Sequence, residues 1–181
     1  MKPFEVNVPD AVLDDLKDRL GLARFPNEPR DAGWRWGANL GYMRDLVDYW
    51  RDEYDWRAAE AQLNAFPQFT APVTDPESGE TFELHFVHLK GSGPSPKPLL
   101  ISHGWPGSFY ELLGIAGPLA NPEKHGARGA PTFDVVIPSL PGYGFSSSPA
   151  APITPKVMAR VFHQLMTDVL GYGTYATQGG D

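Results

Sequence analysis

Apolar positions along the chain change period near residue 70. Before that point, Leu13, Leu16 and Leu20 recur at helical spacing behind the start signal Pro9-Asp10, and Gly21 supplies a stop. A linker containing Pro26, Pro29 and Gly33 follows. Leu40, Met43, Val47, Trp50 and Tyr54 then make a second stripe behind an Asn39 cap, and Trp56, Ala59, Leu63 and Phe66 make a third. Helices this short are marginal in isolation, so residues 1–70 are expected to form a helical arm that wraps against something larger.

Beyond residue 70, strand and helix patterns alternate. Phe82, Leu84, Phe86 and His88 share one face of a period-2 run, which predicts a half-buried strand. Leu99-Leu100-Ile101-Ser102 is a short apolar run of the kind buried in a parallel sheet, and a helix-like segment follows from Phe109 to Leu119. Phe133 to Pro138 repeats the strand. Thr154-Pro155 offers an N-cap with proline at the first helical position, and Val157, Val161, Leu165 and Val169 give a core-facing stripe. Tyr175 to Gln178 reads as one more strand. This alternation predicts an α/β fold with a doubly wound, mostly parallel sheet over residues 71–181. Ligands of such sheets bind beyond the carboxyl ends of the strands, so the active loops should follow Ser102, Pro138 and Gln178.

Composition narrows the function classes. A chain of 181 residues can build one substantial core, and 19 Gly with 19 Pro indicate many turns. A net charge of −7 with no basic run makes nucleic acid an unfavourable partner. The absence of cysteine removes disulfides, thiolate zinc sites and a cysteine nucleophile. The N-terminus lacks an apolar signal region, and no apolar stretch reaches the ~20 residues of a membrane span. The chain is therefore expected to be cytoplasmic.

Two motifs carry candidate chemistry. His103-Gly104-Trp105-Pro106 lies where a strand ends and a helix approaches, the place where α/β-hydrolases supply an oxyanion-hole N–H. There Gly104 would provide unusual backbone freedom, and a cis Trp105-Pro106 bond would aim the Trp105 N–H into a pocket that the indole also lines. The plain alternative is a strand-end turn with a buried tryptophan. His103 reads as structural, because triads on such folds run nucleophile, acid, histidine along the chain. Gly179-Gly180-Asp181, directly after a strand, matches the first half of a nucleophile elbow, where small residues let a tight turn present the nucleophile. An aspartate there would attack an sp³ carbon and form an alkyl ester that water hydrolyses. The alternative is a solvated acidic terminus after a glycine pair.

These pieces together resemble the microsomal-type epoxide hydrolases. The N-terminal arm is similar through Leu16 to Arg24 with Phe25-Pro26, Trp36-Gly37, Tyr49-Trp50, Tyr54-Asp55-Trp56-Arg57 and Leu63-Asn64. The remainder is similar through His103 to Ser108, Pro138 to Ser146, and Gly179-Gly180-Asp181. The resemblance implies the N-terminal portion of an α/β-hydrolase fold, with Asp181 as nucleophile and the Trp105 N–H as one oxyanion donor. It implies a small hydrophobic epoxide as substrate, a vicinal diol as product, no metal or organic cofactor, and a role in detoxification or secondary metabolism. In such enzymes the histidine, the acid and the lid tyrosines lie downstream of the nucleophile. A complementary C-terminal segment is thus expected to supply them, with a homodimer as a further association, and this chain alone is expected to be inactive. A dehalogenase-like hydrolase using the same aspartate, and a non-catalytic fragment or interaction module, are the alternatives.

Overall fold

A computed structural model describes residues 1–181. Contacts divide the chain into two units: Val6–Gln62, and Met1–Glu5 together with Leu63–Asp181.

The first unit is helical. Helix α1 (Asp10–Gly21) begins after Pro9 as expected, with Asp10 in the turn where the helix dipole favours negative charge. Helix α2 (Leu40–Asp52) starts at the expected cap, Asn39 accepting the Tyr42 N–H on its side-chain oxygen at 3.0 Å. Helix α3 (Trp56–Asn64) is started by Asp55, which accepts from the Ala58 N–H at 3.0 Å. Glu60 on α3 accepts from the Val8 N–H at 2.8 Å and from the Trp56 indole at 3.2 Å, while Arg57 bridges to Glu60 and to Asp10 on α1. These links tie the first and third helices of the unit together.

The second unit is a six-stranded sheet in the order β1-β2-β3-β5-β4-β6. Its strands are β1 (Lys2–Phe4), β2 (Gln68–Thr74), β3 (Thr81–Leu89), β4 (Lys97–Ser102), β5 (Phe133–Pro138) and β6 (Ala176–Gly179). Two stretches within residues 1–70 are thus strand rather than helix. The period-2 signal of β2 is interrupted by Pro72, which sits beyond Thr70, where the pairing with β1 ends; there a residue without an N–H is tolerated.

The expected mostly parallel sheet holds for β5-β4-β6, where Leu100 lies opposite Val136 and Ser102 opposite Gly179. The other three pairings are antiparallel. Loop 75–80 between β2 and β3 is too short for a parallel crossover, which needs a dozen or more residues, so a hairpin is the only connection it permits. The sheet is therefore mixed. Arg160 closes this hairpin turn by reaching Asp75 at 2.5 and 2.9 Å, and its guanidinium holds the Asp75 carboxyl well below the usual carboxylate range against the opposing pull of burial.

Helix α5 (Pro155–Gln164) starts at Thr154 as expected and runs on into a wider turn, Leu165–Val169. Its Val161 and Phe162, with Leu165 and Met166, pack on Phe82, Leu84, Phe86, Leu100 and Val136 to form the main core cluster. Helix α4 (Leu113–Ala120), entered through a 3-10 turn at Phe109–Leu112, contributes Leu113, Ala116 and Ala120 to the buried set outside that cluster. It packs on β5 and β3. Strand β3 is buried on both faces from Leu84 to His88 rather than on one. All four residues of β6 are exposed.

Candidate active site

The parallel strands β5, β4 and β6 bring their carboxyl ends to one edge of the sheet, as doubly wound topology requires. Because Ser102 is in register with Gly179, the residues that follow them emerge side by side. The Trp105 N–H donates to Asp181 Oδ1 at 2.6 Å, across 76 positions of sequence.

Gly104 is what permits this approach. A Cβ placed on it would stand 2.6 Å from the Asp181 Cα and 2.7 Å from the Gly180 carbonyl oxygen, so no larger residue fits without displacing the aspartate. The expectation of unusual backbone freedom is corrected here: Gly104 does not occupy the left-handed region, and its small size is used for close packing. A Cβ on Gly179 would make an ordinary contact with Ser102 at 3.6 Å. The Trp105-Pro106 peptide bond is cis. The Trp105 side chain is 73% exposed rather than buried.

Two open clefts, about 670 and 420 Å³, lie beside this contact and share Trp105, Gly104, Gly180 and Asp181 in their walls. Leu112 and Ile115 add apolar surface to the larger, and Leu140, Met158 and Phe162 to the smaller. The loop after β5 that brings in Leu140 and Tyr143 was expected at this edge from topology, whereas Met158 and Phe162 read in the sequence as part of an ordinary helix. No group of His, Asp and Glu side chains stands in an arrangement that could hold a metal ion.

Four of the five histidines are held by other groups. Buried His103 takes the Leu140 N–H on Nε2 at 3.2 Å, and its Nδ1 lies 3.2 Å from the Gly104 carbonyl oxygen. His85 is enclosed between Ser139 Oγ at 2.8 Å and Gln68 Oε1 at 3.0 Å, against Phe4, Phe109 and Phe145. Burial pushes its pKa down to about 4. This Ser–His–amide arrangement has triad-like spacing but no access, because Ser139, His85 and Gln68 are all buried. His88 contacts the Tyr172 hydroxyl at 3.0 Å, and His163 contacts the Tyr175 hydroxyl at 2.8 Å.

Residues 1–112 match the family described as "Epoxide hydrolase N terminus", and residues 97–181 match the one described as "alpha/beta hydrolase fold". The chain belongs to the epoxide hydrolase family. Like other members, it has the N-terminal portion of an α/β-hydrolase fold: it superposes on the Aspergillus niger epoxide hydrolase with a TM-score of 0.83 at 38% identity, covering 99% of this chain and 46% of that one. Superposition on the juvenile hormone epoxide hydrolase of the silkworm Bombyx mori gives a TM-score of 0.82 at 29% identity, over 99% of this chain and 41% of that one. In sequence it is 37% identical to epoxide hydrolase 1 of Sus scrofa, over 100% of this chain and 39% of that protein. The chain thus spans about two-fifths of the length of such curated relatives. No helix of this epoxide hydrolase segment is long and apolar enough to cross a membrane.

Proposed function

We propose that this segment supplies the nucleophile and one oxyanion donor of an epoxide hydrolase that converts hydrophobic epoxides into vicinal diols. The observation that carries this reading is the 2.6 Å hydrogen bond from the Trp105 N–H to Asp181 Oδ1. A carboxylate held by one oxygen presents the other as the attacking atom. Asp181 Oδ2 attacks an epoxide carbon from the side opposite the ring oxygen, forming a C–O ester bond as the ring C–O bond breaks. The departing alkoxide takes a proton from tyrosines of the remainder of the protein.

Oδ1 then becomes the carbonyl oxygen of the ester. When a histidine-activated water adds to the ester carbon, negative charge collects on Oδ1, already in hydrogen-bond contact with the Trp105 N–H. Such a preorganised donor is worth ~3 kcal/mol of transition-state stabilisation. Collapse of the adduct returns the Asp181 carboxylate and releases the diol. Overall, one epoxide and one water give one diol, and no cofactor enters. The apolar walls at Leu112, Ile115, Leu140, Met158 and Phe162 favour a hydrophobic substrate. A juvenile hormone epoxide is named as substrate for the juvenile hormone epoxide hydrolase 2 of Ctenocephalides felis, 35% identical over 100% of this chain.

The five histidines all precede Asp181, and triads on this fold run nucleophile, acid, histidine along the chain, so in this reading a C-terminal segment supplies the water-activating base together with the acid and the tyrosines. The test is acid quench of the full-length protein with a styrene-oxide-like substrate, followed by intact mass. The unaltered protein should show a covalent adduct and form diol, Asp181→Ala should show neither, and residues 1–181 alone should give no turnover. Full activity of Asp181→Ala would remove the aspartate from the mechanism.

A further inference from the structure

His103 is engaged on both ring nitrogens, and the two contacts together determine its tautomer. The Leu140 backbone N–H can only donate, so Nε2, 3.2 Å away, must offer a lone pair. In a neutral imidazole the proton then resides on Nδ1, which lies 3.2 Å from the Gly104 carbonyl oxygen and donates to it. The ring is held in this pose by burial, with 3% of the residue exposed, and by edge-on contact with Tyr143 at 5.6 Å between centroids.

The Gly104 carbonyl and the Trp105 N–H belong to one planar trans peptide unit and point in opposite directions from it. A donor that fixes the carbonyl therefore fixes the direction of the N–H. That N–H is the group 2.6 Å from Asp181 Oδ1. The peptide unit before it is held in the same manner, since Ser102 Oγ donates to the His103 carbonyl at 3.0 Å. Gly104 has no side chain to restrain its own peptide planes, and the space a side chain would need is filled by Asp181. Restraint has to come from the neighbours.

We infer that His103 is a positioning residue: through its Nδ1–H on the Gly104 carbonyl it aims the Trp105 N–H at the oxygen of Asp181 on which charge develops during ester hydrolysis. This rests on the reading of Asp181 and Trp105 given above. It assigns His103 two separable tasks, one for each nitrogen. Nε2 ties the loop after β5 to the loop after β4, and Nδ1 orients the oxyanion donor.

The two tasks are separated by three substitutions in the full-length enzyme. His103→Asn places an amide donor where Nδ1 stands and leaves the Leu140 N–H without its acceptor. His103→Gln places an amide oxygen where Nε2 stands and leaves the Gly104 carbonyl without its donor. His103→Ala lacks both. Formation and decay of the covalent adduct are followed by acid quench and intact mass, and folding by thermal melting. We expect Gln to hydrolyse the ester at least about tenfold more slowly and to slow its formation by a smaller factor, so that the adduct accumulates; loss of a whole oxyanion donor costs about 10²–10³. Asn should melt at lower temperature yet hydrolyse the ester within about threefold of the unaltered enzyme, and at least about tenfold faster than Ala. A purely structural histidine would instead slow both steps equally, or all variants alike. Equal hydrolysis rates in Asn and Ala, or unaltered hydrolysis in Gln, would overturn the inference, and the Asn–Ala comparison decides it even where Gln does not fold. Absence of any adduct in the unaltered enzyme, with Asp181→Ala still active, would instead refute the nucleophile reading on which the inference stands.

Discussion

Asp134, near the start of β5, and Asp181, just past the end of β6, stand at opposite ends of the parallel strands. Asp134 is 6% exposed and accepts from the Gly91 N–H at 2.8 Å, the Lys90 ammonium at 2.9 Å and the Tyr172 hydroxyl at 2.6 Å. Burial works to raise its pKa, but the hydrogen bonds from Tyr172, Gly91 and Lys90 outweigh it and hold the carboxyl below its ordinary value. Asp181 stands between two clefts, and its Oδ1 accepts from the Trp105 backbone N–H. A carboxylate saturated with donors is a fixed structural anion. One held at a single oxygen keeps lone pairs available for reaction. The two ends of the same strands thus divide the labour: side chains lock the amino end, and loop backbone shapes the carboxyl end.

The comparison breaks most sharply at Gly104. Gly104→Ala would force Asp181 away from the Trp105 N–H, and displacements of about 1 Å from a reactive geometry cost on the order of 100-fold. We expect turnover of the full-length enzyme to fall by that factor or more, and by more than any loss of stability explains. Steady-state kinetics beside a thermal melt would check this.

Asp134→Ala should do the reverse. It strips three donors of their acceptor, which costs about 2 kcal/mol where charged partners are involved, and leaves the turnover of the remaining folded enzyme unchanged. A shift of the urea midpoint without a change in kcat would confirm the division. A loss of kcat at unchanged stability would contradict it.

Near neutral pH, acid sensitivity is the smallest effect. Burial lowers the His85 pKa to about 4 from an ordinary 6.5, and burial with the Lys90 charge does the same at His88 against the opposing pull of Asp134. The unfolded chain therefore takes up protons near pH 6.5 that the folded chain refuses until about pH 4. Stability is full above that window and declines as the pH falls through it, by up to ~1.4 kcal/mol per pH unit for each proton. Urea titrations across the window should show this slope, and in His85→Gln the profile should be flatter although the protein is less stable throughout. A profile with the same slope in the variant would assign the acid sensitivity to other groups.

Much of the framework was legible in the sequence, for reasons that differ from element to element. α1, α2 and α5 announced themselves because a start signal and a 3.6-residue stripe both act within one turn of chain, at Pro9-Asp10, Asn39 and Thr154-Pro155. β4 and β5 did so because strands buried on both faces are continuous apolar runs. β1 and β2 escaped notice, one being three residues long and the other carrying Pro72, and with them went the antiparallel half of the sheet. The motif residues His103 to Pro106 and Gly179 to Asp181 could be found by position, since both follow strands whose ends must share an edge.

What the chain determined by itself was local: where helices start, which runs are buried on both faces, and which small residues flank strand ends. Those signals rest on interactions that span only a few residues. Tertiary structure decided why the small residue at Gly104 is needed, which nitrogen of His103 faces the Leu140 N–H, and which donors saturate Asp134. Each of these depends on partners brought in from distant strands and loops: Asp181 and Gly180 beside Gly104, Leu140 at His103, and Lys90 and Tyr172 at Asp134. A backbone N–H or a carboxylate has the same chemistry wherever it lies in the sequence, and only folding chooses what it faces.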